Sequence, residues 1–290
     1  MKKSAFSLTE IVIVIVILGI VMAGIIASKD IVTEAKVRTA RSVTQTSNVR
    51  GIDGIALWLE TTLEDSFDED VDATSATDNK VDNWYDITPD AEKSARSNAS
   101  QPTAANQPAL IANAINGLPA LVFDGSGDYF SNTILRLGSN MSIFAVATIN
   151  NSYGVFRRII NSYNDGYFFF GSGDSNTQFA AFYGNGGGWN NTNTFGSDAT
   201  LTPNTPYILS NTLSGTVSNG YVNGVNVGTA TENNGKNFST GYIVGQMSSG
   251  GQYWDGYIGE IIIFNRALSD TERKQVEAYL SKKWGIRVAG

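Results

Sequence analysis

"GYIGEIIIFNRALSDTERKQVEAYLSKKWGI", residues 256–286, carries two periodicities in succession. Residues 257–265, YIGEIIIFN, are a short run of β-branched and aromatic side chains bounded by Gly and Asn, which reads as a strand. From Ser269 the pattern changes. Ser269 and Glu272 stand at S-x-x-E spacing, where the serine hydroxyl can take a first-turn N–H while the glutamate reaches back to the serine N–H. Val276, Tyr279, Leu280 and Trp284 then form one apolar helical stripe, and Gly285 ends it. One helix therefore closes the chain behind its last strand.

Upstream of this stretch strand signals recur from Ile55 onward: IALWLE (55–60), PALVFD (119–124), MSIFAVATI (141–149), GYFFFG (166–171), TQFAAFY (177–183), PYILSNTL (206–213) and GYIVGQ (241–246). GYVNGVNVGT (220–229) reads as a hairpin, because Asn223-Gly224 accepts the two positive φ angles of a type I′ turn. Many strands without intervening helices imply an antiparallel sandwich of two sheets. Trp58, Trp84, Trp254 and Trp284 lie inside strand or helix motifs and are expected in the core. Asp124 and Asp128 of FDGSGDYF are expected to form turns rather than bind ligands.

The other end of the chain is of a different kind. FSLTEIVIVIVILGI (6–20) opens an apolar run, residues 11–27, broken only by Gly19 and Gly24. As a helix that run covers roughly 25 Å, and with Phe6 and Leu8 it is about long enough to span a bilayer. A secretory signal peptide, a plain signal anchor or a buried helix are the simple readings. The first two account for Lys2, Lys3 and the apolar run, but not for Glu10, whose carboxylate near hydrocarbon costs roughly 2.5–3.5 kcal/mol. The helix is expected to continue to about Arg50. The first proline is Pro89, Glu34 and Arg38 stand at i,i+4 in the favoured order, and Gly51 and Gly54 bracket the stop. The Ser/Thr-rich part from Thr39 is a weak helix former.

The 290 residues include no Cys, which excludes disulfides and thiol chemistry, and no His, which removes the commonest general base and transition-metal ligand. Residues 28–50 hold five basic and two acidic side chains, whereas residues 51–290 hold thirteen basic and twenty-four acidic. The acidic outer part argues against nucleic acid as a partner. The basic segment suits anionic headgroups, acidic faces of neighbours, or simply solvent.

KKSAFSLTEIVIVIVILGI resembles the N-terminus of type IV pilins and of the pseudopilins of type II secretion. The resemblance covers about the first 25 residues. It implies a leader of residues 1–5, a prepilin peptidase cut between Ala5 and Phe6 (where the family usually has Gly before the cut), N-methylation of Phe6, and Glu10 as fifth residue of the mature chain. It also implies that Glu10 faces the N-terminal amine of a neighbouring pilin subunit. Two unit charges about 5 Å apart at an effective dielectric of ~20 attract by roughly 3 kcal/mol, about the cost of placing the carboxylate there. Lys2 and Lys3 put the N-terminus in the cytoplasm of a bacterial inner membrane and the head outside it.

Over residues 52–287, ALWLE, VDNWYD, NGLPALVFDGSGDYF, YVNGVNVGT and the closing stretch 256–286 resemble in order the laminin-G-like, concanavalin A-like domains of bacterial surface proteins. That implies a jelly-roll sandwich and a carbohydrate or surface-protein ligand, sometimes with Ca²⁺. The expected architecture is mainly β: a leader (1–5), a long N-terminal helix (6–50) with residues 6–27 in the membrane, and a sandwich (52–290) with a C-terminal helix. No catalysis is expected. The acidic stretch 64–78 is loop-like, Glu260 stands alone on its strand, and no Ser–His or Cys–His pair is possible.

Asp68, Asp70 and Asp72 follow a D-x-D-x-D spacing that can turn three carboxylates to one Ca²⁺, although Ala73 and Asn79 break the EF-hand pattern and a solvated acidic loop between two strands is the favoured reading of the run. For ligand binding the candidates are Trp189, Asn190 and Asn191 in YGNGGGWNNTN, and Tyr163, Asn164 and Asp165 before GYFFF. There an aromatic face can stack on a sugar while amides bond its hydroxyls. The expected function is a type IV pilin-like filament subunit, minor or adhesive, presenting a lectin-like head. A type II pseudopilin and a membrane-tethered lectin that does not polymerise are the alternatives.

Overall fold

A single helix of 38 residues, α1 (Leu8–Gln45), opens the computed structural model, which describes residues 8–68, 71, 79–89, 96–138, 140–150, 156–163, 168–173, 178–183, 199–231, 241–247 and 249–289. The helix stops short of Arg50 for a local reason. The hydroxyls of Thr39, Thr44 and Thr46 donate to carbonyls four residues back, and Ser47 instead accepts from the N–H of Val49 to start a separate 3₁₀ turn, Asn48–Gly51. In the apolar part, residues 11–18, Val21 and Met22 are 47–65% exposed. Among the described residues no helix is long and apolar enough to cross a membrane, and the expected span 6–27 lies partly outside them.

Sixteen strands follow among the described residues: β1 (Ile55–Glu60), β2 (Asn79–Lys80), β3 (Asn83–Trp84), β4 (Ala99–Ser100), β5 (Ala109–Ile115), β6 (Leu118–Asp124), β7 (Phe130–Asn132), β8 (Met141–Ala147), β9 (Arg157–Ser162), β10 (Phe168–Ser172), β11 (Phe179–Tyr183), β12 (Tyr207–Ser214), β13 (Val217–Val222), β14 (Val225–Thr231), β15 (Tyr242–Val244) and β16 (Asp255–Phe264). Helix α2 (Asp270–Trp284) closes the chain. The strands build two antiparallel sheets, ordered β14-β13-β12-β8-β16-β6-β5-β2 and β11-β10-β9-β15-β7-β4-β3. The ten-residue β16 is the hinge of the first sheet. One edge pairs with β8; the other is shared, with β6 on Asp255 to Ile258 and β1 on Glu260 to Phe264.

Side chains leave β16 alternately for two apolar layers. Ile261 and Ile263 enter the core between the sheets with Leu57, Leu59, Phe123 and Phe130; Ile262 and Phe264 enter a second layer under the helices, with Trp58, Phe144, Val276 and Leu280. Burial on both faces is why EIIIF reads as a continuous apolar run rather than an alternating one. All four expected core tryptophans are buried, Trp84 and Trp254 between the sheets, Trp58 and Trp284 under the helices. Asn223 and Gly224 have φ of 50° and 79°, as the hairpin turn requires. Ser269 and Glu272 form the reciprocal capping box, and Gly285 ends α2 in the left-handed region at φ 65°.

Candidate functional site

The register of β1 on β16 sets Glu60 opposite Glu260. Glu260 is thus not alone, as its strand suggested; it has a carboxylate neighbour 200 residues earlier in the chain. Both side chains point into the helix layer, both are fully buried, and Lys283 of α2 lies between them, its Nζ 2.6 Å from Glu60 Oε2 and 2.9 Å from Glu260 Oε2. Glu260 also accepts from the indole N–H groups of Trp58 and Trp284, at 2.7 and 2.8 Å, and from the Tyr279 hydroxyl at 2.7 Å. Glu60 accepts from the N–H and hydroxyl of Thr62, the N–H of Leu63 and the hydroxyl of Ser66. The Thr44 hydroxyl of α1 meets that of Tyr279 at 3.0 Å, which ties the long helix to the same network.

A buried carboxylate is tolerated only when paired and hydrogen-bonded, and this network supplies both. Burial alone would push the Glu60 carboxyl up; the Lys283 ammonium, with hydrogen bonds from Lys283, Ser66 and Thr62, outweighs it and holds the group below the usual carboxylate range. Burial would likewise lower Lys283, and the two glutamates raise it instead. Two carboxylates flanking a bond are the arrangement of a glycoside hydrolase. Here the space between them is filled by an ammonium and closed to solvent, so this pair fastens α1 and α2 to the sheet and cannot take a substrate.

The open polar feature lies elsewhere. A cleft of about 540 Å³ is lined by Glu64, Asp65, Asp68, Tyr85, Arg96 and Asn98, with Phe67 beside them. Asp68 is held in place: Oδ1 accepts from the Tyr85 hydroxyl at 2.7 Å and Oδ2 from the Asn83 amide at 3.2 Å. The hydrogen bond to Asp68, then burial, push the Tyr85 phenol up to about 12, so Tyr85 stays a donor at any physiological pH. An adjoining hollow of about 440 Å³ shares Glu64, Asp65 and Arg96 and adds Arg41 and Arg50; Arg41 Nη1 pairs with Glu64 at 2.5 Å. Carboxylate acceptors beside guanidinium and amide donors suit a ligand rich in hydroxyls. D-x-D-x-D spacing had pointed to Asp68 alone within this cleft; Tyr85, Arg96 and Asn98 come to it through the fold.

Of the other expected site residues, Tyr163 is 40% exposed just past β9 and does not line the cleft. Ala5, Phe6, Asp70, Asp72, Asn164, Asp165, Trp189, Asn190 and Asn191 lie outside the described residues, as does the side chain of Glu10, whose backbone is in α1. Among the described residues no group of three or more acidic side chains is arranged to hold a metal ion. Asp124 is a turn-former as expected. It accepts from the hydroxyl and N–H of Ser126 and from the N–H groups of Gly127 and Asp128; burial would raise its carboxyl, and these bonds bring it down to about 2.

Residues 124–272, just over half of the chain, match the concanavalin A-like lectin/glucanases superfamily, laminin G type. The chain belongs to this superfamily. Residues 1–26 match the prokaryotic N-terminal methylation motif, so the chain joins a pilin-type N-terminus to a lectin-like sandwich. No curated protein matches it. Among solved structures it resembles a Trypanosoma rangeli sialidase in complex with 2,3-difluorosialic acid, at 16% identity and a TM-score of 0.51 over 80% of this chain and 33% of that one. It also resembles the binding domain of botulinum neurotoxin serotype D, at 14% identity and a TM-score of 0.52 over 78% of this chain and 51% of that one. The chain spans about a third of the sialidase and about half of the toxin domain, and at these identities the likeness is one of fold alone.

Proposed function

We propose that this chain is a type IV pilin-like filament subunit, minor or adhesive, whose sandwich attaches the filament to an extracellular glycan or protein. One observation carries the reading: a methylation motif over residues 1–26 leads through one unbroken helix into a lectin-like sandwich whose own core is closed. In this reading a prepilin peptidase cuts before Phe6, the chain waits in the bacterial inner membrane with its head outside, and it then joins other pilin subunits at the surface. The head binds rather than catalyses, a view supported by the sealing of Glu60 and Glu260 and by a composition without His or Cys. The Asp68 cleft is the candidate saccharide site. Ca²⁺ at Asp68, Asp70 and Asp72 belongs to the same proposal and predicts heat on calcium titration that the triple alanine variant lacks.

Mass spectrometry of the mature protein tests the first half: an N-methylated Phe6 is expected, and a retained Met1 or an N-terminus near Ser28 overturns it. Glu10→Ala tests assembly. The head should fold and the anchor insert, yet filament incorporation should fail, because the Phe6 amine then loses its counter-charge. Normal incorporation of that variant contradicts the pairing. A glycan array with the full chain in detergent tests the head; binding that Asp68→Ala and Tyr85→Phe weaken about tenfold supports the cleft, and binding unchanged by both moves the site elsewhere.

A further inference from the structure

α2 runs beside α1 in the opposite direction. Gln275 and Ala278 share a hollow with Thr46 and Val49, at and just past the end of α1, and the Tyr279 hydroxyl meets that of Thr44. Lys282 and Gly285 share a groove of about 400 Å³ with Val32, Lys36 and Thr39. The C-terminal end of α2 therefore points back toward the apolar residues 11–27. The chain at and after that end is pinned to the head: the Asn116 amide donates to the Trp284 carbonyl at 2.9 Å, and the N–H of Ala289 donates to the Asn223 carbonyl at 2.9 Å. Lys36, Lys282 and Arg287 mark this rim, all three exposed. Among the described residues none of them meets a carboxylate, whereas Arg266, Arg273 and Lys283 all do. Lys36 is also placed, because its ammonium lies where a Cβ on Gly117 of the β5–β6 turn would stand. No carboxylate lines the groove. Glu34, two residues from Lys36 and so turned away from it, is taken by Arg38 at 2.5 Å. In a chain with thirteen basic and twenty-four acidic residues over 51–290, this basic rim stands apart.

We infer that this rim docks the head on the headgroups of anionic phospholipid, on the outer side of the membrane that holds α1. The inference rests on the membrane-anchored stage of the reading above and adds the surface by which the head meets the bilayer. Two observations select this occupant. The first is height. Lys36 lies nine residues past the apolar run, roughly 14 Å along the helix, and the headgroup layer rises roughly 5–8 Å above the hydrocarbon. The gap that remains is about one Debye length, and the four-carbon stem of a lysine bridges much of it. The second is charge. Three cations without a carboxylate beside them suit phosphate diesters, and each basic side chain at an anionic bilayer surface favours contact roughly fivefold, or about 1 kcal/mol. Together the three favour the docked head about a hundredfold. Docking of this kind holds the sandwich in one orientation on the membrane while the chain awaits assembly.

The chain has no cysteine, so a single one reports on the rim. Ala289→Cys, at an exposed position, carries an environment-sensitive fluorophore on the full chain inserted in lipid nanodiscs. The discs hold phosphatidylcholine alone, or equal parts of phosphatidylcholine and phosphatidylglycerol. The ratio of shielded to wet probe should rise at least about tenfold in the mixed discs and fall again at high salt. Adding Lys36→Gln, Lys282→Gln and Arg287→Gln together should abolish that rise while the chain still inserts and the head melts as before. A probe equally wet in both kinds of disc overturns the docking face and leaves the anchored pilin reading standing. A rise that survives the triple variant overturns it equally. So does a triple variant that keeps the lipid response and loses only filament incorporation, because the cations then serve acidic faces of neighbouring subunits. A chain that enters neither kind of disc overturns the membrane-anchored reading and this inference with it.

Discussion

The two ends of this chain invert the usual placement of side chains. Residues 11–18 of α1 expose isoleucine, valine and leucine on every side, while the layer beneath α2 buries two glutamates and a lysine. The difference lies in what each region has for neighbours. In the head, each charge finds counter-charge and hydrogen bonds inside the same chain, from Lys283, Tyr279, Trp58, Trp284 and Thr62. Among the described residues nothing covers the apolar residues 11–18. A closed head and an uncovered apolar helix suit the filament subunit proposed above.

The contrast breaks most severely at Lys283. Lys283→Met leaves two buried carboxylates without their cation, and a loss of about 3–5 kcal/mol is expected in urea unfolding of the full chain in detergent. A loss below 1 kcal/mol would mean that the network is wet rather than sealed. Acid acts on the same network. Glu60 is held below its usual range, so its contribution is present above the unfolded value, about 4.3, and is lost as pH falls through the lower folded value. Asp124 and Glu272, both at about 2, act in the same direction. Thermal melting should therefore hold from pH 7 to 5 and fall below about pH 4; a melting point rising on acidification would contradict the assignment.

Smaller effects sharpen the comparison. A Cβ added at Gly259 of β16 would lie 2.4 Å from the ring of Trp284, so Gly259→Ala should lift α2 off the sheet at a cost of about 1–3 kcal/mol. Ser269→Ala removes half of the capping box and should cost about 1 kcal/mol. Glu34→Ala breaks a solvent-exposed pair with Arg38 on α1 and should cost no more than about 0.5 kcal/mol. That descending order, read from chemical denaturation, follows burial, from the sealed layer of the head to the exposed face of α1. Equal effects at Lys283 and Glu34 would erase the distinction between the two regions.

What could be read before the fold was known depended on how local its cause is. The α2 capping box, its apolar stripe, the Asn223-Gly224 turn and the four core tryptophans all follow from spacings of a few residues, and all are found. β5 escaped notice because ALIANAI is interrupted by Asn113, which sits at φ 56° where the pairing with β6 shifts register. β9 escaped because its two leading arginines look like loop, although Arg158 is buried. Glu60 with Glu260, and Asp68 with Tyr85, Arg96 and Asn98, are products of strand register and chain return, which no short window contains. The strongest available hint was chemical: a glutamate at the end of one apolar strand and another in the middle of a second, and a lysine on the closing helix to meet them.

Helical reconstruction of filaments by electron cryomicroscopy tests the central claim most directly. The account predicts residues 11–22 buried among other copies of the helix, with every sandwich on the outside and Glu60, Lys283 and Glu260 still joined. A processed chain found only as single copies, its apolar helix surrounded by lipid or detergent and its head on the membrane surface, would contradict it.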